Sequence, residues 1–181
     1  GDAVAGLTID NVKMAFLPYT NVKFGMNTVG GTLNDDDWPF MRVEEMILIQ
    51  IEGLAKSGSP AQAKAMLEDF IRTYRDPAYS ADAAGRSLED EIWFQRRVEL
   101  WGEGFSNNDT RRLNKPLVRF YGGEDSNFPE AFRFKMIADD GWWLMRFTLR
   151  EMNTNLAIID NTGGAQPVQD QNPGLRDGVT D

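Results

Sequence analysis

The chain has 181 residues and a formal charge of −9, from 19 lysines and arginines against 28 aspartates and glutamates. With no histidine and no cysteine, it cannot build a serine–histidine triad, a thiolate nucleophile, a disulfide or a zinc site ligated by either residue. The excess of acid repels phosphate backbones and anionic membranes, so no nucleic-acid partner is expected and neutral or cationic ligands are favoured.

The length fits a single domain over 1–181. Residues 1–36 carry scattered Val, Thr, Phe and Tyr with glycines at 25, 30 and 31, and are expected to form an extended lead-in. Asn34 to Asp37 then offers capping carboxylates to a helix opening at Trp38-Pro39 and stopping near Ser57-Gly58. Within it, the longest apolar run, Met46 to Ile51, is broken by Gln50 and is far too short to span a bilayer. Ser59-Pro60 starts a second helix, in which Ala63, Met66, Leu67, Phe70, Ile71 and Tyr74 keep helical period up to Asp76-Pro77. The two helices make a hairpin about the size of one tetratricopeptide unit. Ser87 with Asp90 gives a capping-box-like start to a long third helix running through Trp101, and Asp109 to Leu113 allow a further turn. From Leu117 to Gly141, glycines, prolines and aromatics alternate without a sustained period, as expected of a long loop with short strands or turns. Trp142-Trp143-Leu144 leads into a short helical turn near Arg150 to Asn155, and 160–181 form a polar tail. The predicted fold is mainly α: a tetratricopeptide-like helical hairpin plus a long packed helix, with long irregular loops.

Charge is ordered on these helices. Phe94, Val98, Trp101 and Phe105 recur at helical spacing as an apolar stripe, expected to be buried, with Arg96, Glu99 and Glu103 on a neighbouring face. Arg42, Glu45 and Glu52 share a face of the first helix, so the two helices are expected to pack through a structural network of ion pairs. Two carboxylates at such spacing also serve glycosidases. Interleaved arginines, however, hold carboxylates ionised, which suits structure better than general-acid catalysis. Acidic clusters at Asn34 to Asp37, Asn107 to Asp109 and Asp139-Asp140 carry oxygen ligands for calcium but lack the spacing of an EF-hand loop. No catalytic residue, metal or cofactor is assigned.

The same segments carry a family resemblance. Arg42, Glu45, Leu48 and Glu52 match an R-x-x-E-x-x-L-x-x-x-E helix. Arg96, Arg97, Glu99, Leu100, Glu103, Gly104, Asp109 and Arg112 match E-R-R-x-E-L-x-x-E-G-x-R-x-x-D-L-x-R, with departures at Gln95, Ser106 and Thr110. Phe147 to Asn155 is similar to I-P-x-x-E-x-x-x-N, and Gln171-Asn172-Pro173-Gly174 to a terminal Q-N-P-G-Y, with Leu175 in place of Tyr. In this order the motifs resemble the C-terminal part of the SusD/RagB nutrient-binding lipoproteins of the Bacteroidetes outer membrane, from about Asp37 to Leu175.

That resemblance implies a non-enzymatic role: capture of an oligosaccharide or similar nutrient at the outer-membrane surface, and delivery to a SusC-like TonB-dependent transporter. It also implies a lipid anchor, carried by a precursor N-terminus absent from this chain. Neutral sugars stack on flat aromatic rings, and rings concentrate in the irregular region, so Trp142, Trp143 and Tyr121 are the candidate ligand contacts. The alternative for these rings is that they plug the core beneath the loop. A helical protein-interaction scaffold and a carboxylate-based glycan hydrolase remain the competing functions.

Overall fold

The computed structural model describes residues 4–9, 12–16, 23, 40–119, 129, 132–133, 135–159 and 175–179. Contacts divide the chain into two compact units, Gly1–Arg42 and Val43–Asp181. In the first, β1 (Val4–Ile9) pairs antiparallel with β2 (Val12–Phe16), from Val4 opposite Phe16 to Ile9 opposite Val12, with an irregularity between Ala5 and Leu7. Over these two segments the extended character expected of the lead-in takes the form of a β-hairpin, and the sequence between the strands is Asp10-Asn11, residue types common in turns. The rest of the lead-in, apart from Lys23, lies outside the described residues up to Phe40.

The second unit is mainly helical. Helix α1 (Val43–Lys56) has Glu44 and Glu45 in its first turn and Lys56 in its last, each complementing the helix dipole. It begins later than Trp38-Pro39 suggests: Phe40 and Met41 lie outside the helix, 94% and 61% exposed, so no burial supports an added turn. Helix α2 (Pro60–Tyr74) opens on Pro60, where a missing N–H is harmless, and buries Ala63, Leu67, Phe70 and Ile71. Tyr74, expected on that stripe, is exposed. Leu48 and Ile51 of α1 meet the α2 stripe, completing the hairpin read from the sequence. Complete burial of each such Leu or Ile stabilises by about 1.5–3 kcal/mol.

Helix α3 (Leu88–Glu99) is capped by Ser87 Oγ, which accepts from the Asp90 N–H at 3.1 Å. It packs on α1 and α2, but in a different rotational phase from the one its apolar stripe predicts. Val98 and Trp101 are exposed, and Phe94 is half-buried beneath the Arg86 guanidinium at 4.2 Å. The face turned inward carries Glu91, Ile92, Trp93 and Arg96, with Leu100 just beyond the helix end. This inversion is possible because both buried charges are neutralised. Glu91, 1% exposed, accepts from the Tyr79 hydroxyl and Arg86 at 2.6 Å each and from Gln95 at 2.8 Å. Burial first, then the bond to Glu91, raises the Tyr79 hydroxyl well above the ordinary phenol range.

The helix ends at Glu99 rather than Trp101, and a turn through Gly102 and Gly104, both at positive φ, leads into α4 (Phe105–Arg112), a full eight-residue helix where a single turn is predicted. Beyond it, β3 (Leu117–Val118) pairs antiparallel with β4 (Lys135–Met136). A 3₁₀ turn follows at Gly141–Trp143, and α5 (Leu149–Thr154) is capped by Thr148, close to the predicted short helix. Part of the polar tail lies on the helical body: Asp177 and Val179 are buried, and Arg97 reaches the Asp177 carboxylate at 3.4 Å. Gln171 to Gly174 lie outside the described residues.

Candidate functional site

The motif charges assemble around α4. Arg96, 4% exposed, donates through Nε to Asp109 Oδ2 at 2.8 Å and through Nη2 to Oδ1 at 3.3 Å. Arg112 donates through Nε to Asp109 Oδ1 at 2.8 Å and through Nη2 to Glu52 Oε2 at 2.7 Å. Lys56 closes on Glu52 at 2.8 Å. Glu52 and Arg96 thus share one network, but α4 carries the link between them; they do not pair directly across α1 and α3. The Arg112 guanidinium, with help from Lys56 and against the opposing effect of burial, holds the Glu52 carboxyl down to about 2 from an ordinary 4.5. The same pairing raises Arg112 above its already high range.

The other residues assigned to the network lie elsewhere. Glu99 is clasped by Arg75, just beyond the end of α2, through two hydrogen bonds of 2.9 Å. Arg42 precedes α1, Glu103 sits in the turn before α4, and Glu45 makes no ion pair among the described residues. Asp109 and Arg112, which the sequence marks only as motif matches, are the central members. Their spacing of three on a helix, with alternating sign, is the signal that identifies them.

The network fixes α4, whose outer face with the following turn forms one wall of an open cavity of about 670 Å³. Asn108, Arg111 and Asn114 contribute from this side, and Asp139, Asp140 and Trp143 from the segment after β4. Asp140 caps the 3₁₀ turn by accepting the Trp142 N–H at 2.8 Å. The Trp143 indole N–H donates to the Ile137 carbonyl at 2.9 Å, which fixes the ring at the cavity. Trp142 does not line this cavity; it is 39% exposed and its ring carries the Arg146 guanidinium at 5.2 Å. Tyr121 lies outside the described residues.

Chemically, the cavity offers one immobilised indole, two side-chain amides, and arginines balanced by aspartates. That combination suits a neutral ligand rich in hydroxyls, with donors and acceptors at the rim and an apolar ring face to cover. Asn108, Arg111 and Asn114 are absent from the sequence-derived ligand contacts, Asn108 entering only within the Asn107 to Asp109 cluster. Asn108 and Arg111 stand three apart on one helix face, and Asn114 directly precedes Lys115-Pro116, a break that ends the helical pattern. Among the described residues no cluster of acidic side chains is arranged to hold a metal ion, and no helix is long and apolar enough to cross a membrane.

Comparison with curated proteins and with solved structures gives no match. At the level of families, the sequence profile of the SusD family matches residues 12–168, most of the chain, including the motif helices and both tryptophans of the 3₁₀ turn. The chain therefore belongs to the SusD (SusD/RagB) family, whose members point to nutrient- or glycan-binding accessory proteins.

Proposed function

We propose that the chain takes part in non-enzymatic capture of a neutral oligosaccharide or related nutrient at the outer-membrane surface, on a lipid-anchored protein, and in its delivery to a SusC-like TonB-dependent transporter. The observation that carries the ligand reading is the placement of Trp143: a ring locked by its own N–H, at the wall of an open cavity whose other groups are amides and balanced charges. Trp142, on the same turn, serves as a second, more peripheral ring, and Tyr121 as a third contact. The non-catalytic reading is supported by the arginine clasp on Glu52, since a carboxylate held ionised is a poor general acid. Isothermal titration with a panel of neutral oligosaccharides, paired with an assay for newly released reducing ends, tests both parts. Binding that is lost in Trp143→Ala, without reducing ends, supports the proposal; release of reducing ends that disappears in a folded Glu99→Gln or Glu103→Gln variant overturns it.

A specific observation also favours protein contact. Val98 and Trp101, 58% and 56% exposed, line an open groove of about 820 Å³ on the outer face of α3. Co-purification of the transporter with the wild-type chain but not with Trp101→Ala is the result this second reading requires.

A further inference from the structure

Helix α1 is apolar on two sides. Leu48 and Ile51 face the core, whereas Met46 and Ile49, on the opposite side, are 41% and 48% exposed. A surface helix ordinarily carries one apolar stripe, and a helix that is apolar all round is one that is covered all round. At about 100° per residue, Glu45, Lys56, Ile49, Gly53 and Met46 follow one another in that order across an outward arc of about 100°. The two apolar side chains thus flank Gly53, and the two charges lie together along one edge.

Gly53 has no explanation within the chain. It lies inside α1 and its φ is not in the left-handed region, so the helix makes no use of its conformational freedom and is less stable than with alanine there. A Cβ built on it would meet nothing within 4 Å, so no neighbouring element among the described residues requires the bare backbone. A glycine that is costly to the helix and needless for packing inside the chain, on an exposed apolar face, marks where an outside group approaches closely. The charges identify that group. Glu45 stands in the first turn of α1 and makes no ion pair among the described residues, and Lys56, in the last turn, is 47% exposed beside Glu52. Two copies of α1 laid face to face in parallel bring like charges together. Laid antiparallel about a two-fold axis, they bring Glu45 of each copy to Lys56 of the other along the same edge, with the helix dipoles opposed.

We propose that the outer face of α1 is the interface of a symmetric, antiparallel dimer of this chain, packed through Met46, Ile49 and Gly53 and oriented by Glu45 and Lys56. Ile49 of each copy rests on Gly53 of the other, where the missing side chain admits it, and Met46 covers the apolar stem of the opposite Lys56. Glu52, near the same edge, adds no unpaired charge, since Arg112 already holds it. A face about 21 Å long and about 10 Å wide is at the small end of specific interfaces, so association is weak, with a Kd on the order of 100 μM.

Sedimentation equilibrium of the full chain, from about 10 μM to about 1 mM, reads the association directly. The expected result is a reversible passage from monomer to dimer, weakened about tenfold by Ile49→Glu with no change in the helical circular dichroism. Gly53→Ala separates the dimer from the fold, because the two respond in opposite directions: the melting temperature of the dilute monomer rises, and association weakens several-fold. Glu45→Lys and Lys56→Glu each self-associate more weakly than wild type, since each sets like charges opposite one another, and an equimolar mixture of the two recovers the wild-type affinity. Trp101→Ala, on the exposed face of α3, leaves the dimer intact. A chain that stays monomeric at the highest concentration overturns the proposal. So does association that Gly53→Ala leaves unchanged or strengthens, a mixture no tighter than its components, or a dimer lost in Trp101→Ala. No ligand enters the measurement, so its outcome is separate from the reading given to the Trp143 cavity.

Discussion

Replacing Arg96 by alanine is the most direct test of how α4 is held. The side chain is 4% exposed and makes two hydrogen bonds to Asp109, itself 4% exposed. Removing one partner of a buried ion pair typically costs about 3–5 kcal/mol, because the remaining charge stays out of water without compensation. Here Arg112 keeps one bond of 2.8 Å to the stranded carboxylate, which places the loss near the lower end, about 3 kcal/mol. A folding unit of this size loses roughly 3–4 °C of melting temperature per kcal/mol, so a drop of about 10 °C is expected. Arg176→Ala serves as the control: its side chain is exposed, and exposed charges contribute about 0–1 kcal/mol. Thermal unfolding followed by circular dichroism, in parallel for the two variants, reads the difference. Arg96→Met combined with Asp109→Leu should recover much of the loss, since an apolar pair of similar volume avoids the desolvation of two charges. Melting temperatures within 2 °C of each other for Arg96→Ala and Arg176→Ala would refute the reasoning and show a network that is merely solvated.

The depressed Glu52 carboxyl contributes stability that is fully present above pH ~4.5 and lost as the pH falls towards about 2; acid unfolding of Glu52→Gln should accordingly lack the part of the pH dependence that wild type shows in that window. Trp93→Ala should cost about 3–5 kcal/mol in urea unfolding, and Trp101→Ala less than about 1, because one ring is 2% exposed and the other 56%; equal midpoints would restore the stripe through Trp101 as the buried face. Trp143→Ala should weaken oligosaccharide binding about tenfold, and titrations at low and high salt should agree within a factor of two, since ring contacts are not screened as charges are. A steep salt dependence would assign the binding to Arg111 and the aspartates instead.

The helical hairpin is legible in the sequence because its signals are local: Ala63, Leu67, Phe70 and Ile71 set the period, and Ser-Gly-Ser-Pro ends one helix and begins the next. The third helix is legible in extent but not in rotation. Hydrophobic periodicity selects Phe94, Val98 and Trp101, since it treats Glu91 and Arg96 as surface residues; it has no access to Asp109, thirteen positions later, or to Tyr79, twelve earlier, which make those charges tolerable inside. The motif match marks Arg96, Asp109 and Arg112 as a set without saying that they touch. The candidate site divides in the same way. An aromatic in an irregular segment flags Trp143, but Asn108, Arg111 and Asn114 join it only through the packing of α4, a long-range event that no window of sequence contains.

The pairing of Arg97 with Asp177 spans 80 positions, whereas α1 to α4 meet mostly their neighbours in the chain. Helices with local contacts assemble early, and a contact of such separation must wait until they have done so, because closing a loop of that length is entropically costly and is offset only by a formed docking surface. The segment with Asp177 and Val179 is therefore expected to be the last part of the helical unit to attach and the first to detach. Backbone amides there should exchange with solvent through a local opening that leaves α1, α2 and α3 protected, and the side of α3 bearing Arg97 becomes transiently accessible each time it opens.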